Sequence, residues 1–142
     1  MPARVARRVA AARALAWHGP PHAAMLVVMV LAMAPGAGAP GHLAGSGALA
    51  LLALGLAPLA RRRSELHPVL VDVGAMAVVL AGLAMSAPAS GHAHGIDGVA
   101  LAGVATVVWL VARVRCTRGA ISVATGALSA AGMVGMAVLA LA

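Results

Sequence analysis

Five long apolar stretches follow one another along the chain, separated by short breaks rich in Arg, Gly or Pro. Within each stretch the apolar residues are continuous. They neither alternate, as in a half-buried strand, nor keep to one stripe, as in a surface helix. The first extends from Pro21 to about Ala34 and leads into the Gly/Pro-rich segment Pro35–Gly41. As a helix its fourteen residues reach about 21 Å, short of the ~30 Å hydrocarbon layer. It must therefore borrow length from Ala14–Trp17 or from the Gly-rich exit. With the exit included, the predicted spans are 21–39, 43–60, 68–87, 96–112 and 120–142, preceded by an Arg-rich segment, 1–20. In lipid only helices and closed barrels satisfy the backbone, and continuous rather than alternating runs select helices. The predicted fold is all-α: a polytopic transmembrane bundle of about five helices.

Composition supports lipid as the solvent. Charged residues make up 9% of the chain, where a soluble domain carries about a quarter. Mean hydropathy is +1.01. Ala, Gly, Leu and Val dominate, and small side chains let membrane helices approach closely. Abundant Ala and the use of Arg without any Lys suggest a GC-rich bacterial source.

A net charge of +7 raises the question of nucleic acid, which the distribution of charge answers against. The Arg residues fall in three groups: Arg4, Arg7, Arg8 and Arg13; Arg61 to Arg63; and Arg113, Arg115 and Arg118. Each flanks an apolar run, and none is interleaved with stacking aromatics. With five spans all three groups lie on one side, whereas the breaks 35–42 and 87–96 carry no Arg. The positive-inside rule then predicts a multi-pass protein of the inner (plasma) membrane, N-terminus cytoplasmic and C-terminus outside. Ala37-Gly38-Ala39 after the first run also fits a signal-peptidase site, and cleavage there would leave four helices in the same orientation. The reading adopted is a retained first helix.

Candidate chemistry is confined to His, Met and one intramembrane acid. His22, Met25, Met29 and Met33 succeed each other at offsets of three and four and share one helical face. His18 lies a turn earlier, but Pro20 and Pro21 suit a helix's first turn, which places His18 in the approach. Imidazole with thioether is a soft ligand set suited to Cu(I). The competing account is that Met fills gaps between helices. On the opposite side, His92, His94 and Asp97 sit in or beside a Gly-flanked loop with spacing that suits Cu(II) or Zn(II). His42, Met85, Met33 and Met136 are expected at the same end. The plain alternative is a solvated polar loop. In the third span, Asp72 and Met76 are one turn apart, with His67 before them. A carboxylate inside the membrane faces the bundle and pairs. Its expected partner is an Arg from a cytoplasmic loop, or His22; the competing account is a charge that snorkels to the interface and caps the start of the helix. Gly132-Met133-Val134-Gly135-Met136 in the fifth span combines close packing with further thioethers. Cys116 stands alone, so no disulfide framework exists.

The segment Trp17–Pro35, "WHGPPHAAMLVVMVLAMAP", together with "GMVGMAVLAL" at Gly132–Leu141, resembles a family of small uncharacterised bacterial membrane proteins whose helices open with His followed by Met at helical spacing. The resemblance implies a multi-helix bundle and copper binding. It carries over to His22, Met25, Met29 and Met33, and to Met133 and Met136. The fifth span departs from the pattern, because Ala130 stands where a His is expected.

No motif for an enzyme is present: there is no HExxH, no GxSxG and no phosphate-binding Gly loop. Two functions follow from the sequence. One is binding or passing copper through the outer His42, His92, His94 and Met85, a Met-lined interior, and the inner His22 and His67. The other is a structural or accessory subunit packed against other membrane protein subunits in the lipid bilayer, with no site of its own. Convergence of the Met faces of helices one, three and five discriminates between them.

Overall fold

The computed structural model describes residues 2–86, 95–116 and 120–141. Every helix and turn among them is helical in kind: α1 (Pro2–Ala32), α2 (Gly38–Arg62), a 3₁₀ turn (Ser64–Leu66), α3 (His67–Ser86), α4 (Gly95–Cys116) and α5 (Ala120–Leu141). Four helices are long and apolar enough to cross a membrane, over Leu15–Ala32, Gly38–Arg62, Ser64–Ser86 and Gly98–Cys116. In α5 the described apolar part is shorter, Val123–Gly135.

The first helix departs from the expected boundaries. It does not start at the prolines; it begins at Pro2 and passes through Pro20 and Pro21 without a break. The expected segment 1–20 is therefore mostly the N-terminal half of α1. Nor does the span draw on the Gly-rich exit to reach 39, since α1 ends at Ala32 and its apolar window starts at Leu15. Two adjacent prolines remove two helical donors, and membrane helices tolerate this when side chains satisfy the freed carbonyl groups. Close by, His22 Nδ1 lies 2.8 Å from the carbonyl oxygen of His18, a carbonyl that neither proline frees. Gly36, at φ 86°, and Gly38, at φ 51°, then reverse the chain in a left-handed conformation that residues with a Cβ avoid. Pro40 falls in the first turn of α2, where its missing N–H has no partner to lose.

The centre of the bundle is α3. Half of its apolar window (50%) is buried inside the protein, against 11% for α4. Its mean composition is apolar on all sides, as expected of a helix surrounded by others. α2 and α4 pack on either side of it, and α1 and α5 close over a third. Glycine decides how near α4 comes. A Cβ placed on Gly82 would lie 2.7 Å from the carbonyl oxygen of Gly98 and 3.2 Å from Ala102 Cβ. At the α2–α3 seam, Ser46 Oγ donates to the carbonyl of Ala77 at 2.8 Å. The Arg-rich end is fastened by Arg63, whose guanidinium stacks 4.1 Å over the ring of Trp17.

Candidate functional site

Near the Arg-rich end, four helices direct polar side chains into one buried layer. α3 supplies Asp72, which is fully buried. Its Oδ2 lies 3.0 Å from His22 Nε2 of α1. Its Oδ1 accepts from Trp109 Nε1 of α4 at 2.8 Å and lies 3.3 Å from Arg113 Nε, one turn further along α4. Arg113 Nη2 in turn donates to Thr125 Oγ1 of α5 at 2.8 Å. The carboxylate expected to need a partner thus has both candidates: the histidine of α1 and an arginine.

Sequence reasoning placed Arg113 at the membrane boundary as a topology signal. In the structure α4 continues to Cys116, so Arg113 belongs to the helix and is 4% exposed. Trp109 and Thr125 also join the site, and neither is among the ligands that the sequence predicts. A usable signal existed: Trp109 and Arg113 are separated by four residues, which puts two donors on one face of the helix. Gly126 makes room for the guanidinium. A Cβ there would sit 3.0 Å from Arg113 Nε and 3.2 Å from Nη2. Gly126→Ala is therefore expected to lower stability by about 1–3 kcal/mol through overpacking. Gly135→Ala, with open space around it, serves as the control in a detergent melting experiment. Equal melting of the two variants would show that Arg113 yields freely.

One turn further from the Arg-rich end, the layer changes character. On α1, His22 gives way to Met25 and Met29; on α3, Asp72 gives way to Met76; on α5, Thr125 gives way to Ser129 and Met133. All four Met side chains are buried, at 0%, 7%, 0% and 7% exposure, and belong to one core cluster. α5 brings the tips together. A Cβ on Gly132 would lie 3.0 Å from Met29 Cε and 3.9 Å from Met76 Cε. Met29 of α1 and Met76 of α3 thus meet beside Gly132 of α5, and Met133 is buried in the same core cluster.

Two buried polar atoms have no hydrogen-bond partner among the described residues at this core. They are His18 Nδ1 and Ser129 Oγ. The His18 ring stacks against that of His22, with centroids 6.3 Å apart. His18 is not left in an approach segment; it is a buried residue of α1.

The other expected ligands are dispersed. Met33 lies just beyond α1 and is partly buried. His42, near the start of α2, is half-buried, with its Nδ1 unpaired among the described residues. Met85, at the far end of α3, is 60% exposed. His67 is exposed at the start of α3. His92 and His94 lie outside the described residues, and so do the side chains of Asp97 and Met136. Among the described residues no three His, Cys, Asp or Glu side chains form a group able to hold a metal ion. Within the core, both nitrogens of His22 are engaged, one by a carbonyl and one by a carboxylate. The core donors left without a partner among the described residues are the thioethers, His18 Nδ1 and Ser129 Oγ. Comparison with protein families, curated proteins and solved structures finds no match for this chain.

Proposed function

We propose that the protein is a five-span inner-membrane protein, N-terminus cytoplasmic, that binds Cu(I) in its thioether layer. The observation that carries this reading is the meeting of Met29 of α1 and Met76 of α3 beside Gly132 of α5, with Met133 buried in the same core cluster. Thioether sulfur is a soft, uncharged donor, and Cu(I) is the biological cation that such a set favours. His22, assigned to the ligand set by its spacing, has no role in this reading, since Asp72 and the His18 carbonyl hold its two nitrogens.

The test is competition between the detergent-purified protein and a Cu(I) chelator, beside a variant with Met29, Met76 and Met133 replaced by Leu. Leu keeps volume and apolarity, so the bundle should persist at a cost below about 1.5 kcal/mol per site. The expected result is stoichiometric Cu(I) on the native chain, with affinity at least about tenfold weaker in the variant. A native protein that takes no copper from the chelator would overturn the reading. What would then be left is a structural subunit, with lipid and other membrane proteins covering the outward apolar faces of α2 and α4.

A further inference from the structure

We propose that His22 and Asp72 form a proton-binding site within the membrane span, reached from the Arg-rich end by way of His18. The argument is independent of copper and rests on hydrogen-bond chemistry. His22 Nδ1 faces a carbonyl oxygen at 2.8 Å. A carbonyl has no hydrogen to give, so Nδ1 carries one and donates. His22 Nε2 faces Asp72 Oδ2 at 3.0 Å, and this second contact between electronegative atoms also requires a hydrogen. A neutral imidazole has a single N–H and an ionised carboxylate has none. The pair therefore holds one proton more than neutral histidine and ionised aspartate supply between them, whether it resides on Nε2 or on Oδ2.

The surroundings allow that proton to leave. Loaded, the pair is neutral overall and Arg113 gives the layer a charge of +1. Unloaded, the pair is −1 and Arg113, 3.3 Å from Asp72 Oδ1, balances it. Neither state strands a carboxylate in lipid without a counter-ion nearby. Trp109 Nε1–H remains on Oδ1 in both. The charged and titratable groups around the pair and His18 are His18 itself on α1, Arg113 on α4, and Glu65 at the Arg-rich edge. α5 contributes Thr125 and Ser129, which do not titrate.

His18 supplies the route. It lies three residues into the apolar window that starts at Leu15, about 5 Å along the helix axis. Its ring stacks on His22, and its Nδ1 is buried with no hydrogen-bond partner among the described residues. In the transfer, the N–H of a protonated His18 breaks as an N–H forms on His22 or an O–H on Asp72. One proton moves and no other bond changes.

The test uses metal-free, full-length protein in lipid nanodiscs with ¹⁵N-labelled His and ¹³C-labelled Asp, followed by NMR through a pH series. The ring nitrogens of His22 and the carboxyl carbon of Asp72 are expected to respond together, in one step worth one proton, with Nδ1 protonated on both sides of it. A His22 ring whose Nδ1 is bare, or an Asp72 signal that does not move with His22, would overturn the site. In Asp72→Asn the joint step should vanish, leaving His22 to titrate alone; the native series decides the matter if that variant does not fold. For the route, His18→Phe retains a flat ring and should keep the step while slowing proton release after a pH jump at least about tenfold. An unchanged rate would remove His18 from the proposal.

Discussion

Asp72→Asn is expected to destabilise the bundle by about 3–5 kcal/mol, the largest effect of any single polar substitution in this chain. The residue is fully buried and stands where four elements meet. Its two oxygens receive His22, Trp109 and the ion pair with Arg113. An amide keeps the shape but removes the charge that offsets a guanidinium only 4% exposed. It also replaces one acceptor oxygen with an N–H donor, which Trp109 cannot accept and His22 accepts only as a neutral ring with a bare Nε2. Attraction between the charges exceeds desolvation only while both are present, so removing one leaves the cost of burying the other. Arg113→Met should be similarly damaging, through the carboxylate it leaves. The double variant Asp72→Asn/Arg113→Met is expected to recover much of the loss, because no full charge then remains on either side of the pair. Unfolding of the native, single and double variants in mixed detergent forms a double-mutant cycle. A coupling energy below about 0.5 kcal/mol would mean that these charges act independently, and that the layer is not the network the distances describe.

Glycine at 82 carries the second large effect. Substituting Ala there places a methyl group 2.7 Å from the Gly98 carbonyl oxygen and 3.2 Å from the Ala102 nitrogen. Both are backbone atoms of α4, so no side-chain rotation relieves the contact and the helices must separate. Overpacking of this kind costs about 1–3 kcal/mol for Ala, and a larger side chain should prevent α4 from seating at all. The contrast with Gly74 and Gly103 makes the experiment decisive. Neither has any atom within 4 Å of a Cβ position. Ala at those positions should be neutral or stabilise, since Gly in a helix interior is weaker than Ala by about 0.5–1 kcal/mol. If Gly82→Ala melts with Gly74→Ala, the close approach of α3 and α4 is not what holds them together.

How far the sequence anticipates this site can be seen at individual residues. The offsets from His22 to Met29 place these side chains on one face whatever surrounds the helix, and in the structure they are buried as a set. Asp72 declares itself because a lone acid in an apolar run must find a partner, and both proposed kinds of partner are present. Arg113 misleads for a physical reason. An Arg at the end of an apolar run is equally consistent with a headgroup contact outside the membrane and with an ion pair just inside it. Local sequence does not distinguish them, since the choice depends on whether a neighbouring helix offers a carboxylate at that depth. Prolines mislead in a similar way. Pro20 and Pro21 favour a helix start by propensity, yet α1 runs through them.

What the sequence determined by itself is the solvent and the elements. Uninterrupted apolar runs with few charges force helices in lipid, and 3.6-residue periodicity assigns side chains to faces of each helix. What the tertiary structure alone decided is how those faces are turned and at what height they meet. Rotation and vertical register come from contacts such as Gly82 against Gly98 and Gly132 beneath Met29, between residues far apart in the chain. Those contacts bring His22, Asp72, Trp109 and Arg113 to one level and set Met29 beside Met76 at the next. Periodicity within a helix carries no information about its neighbour, and for that reason the layers are visible in the fold and not in the sequence.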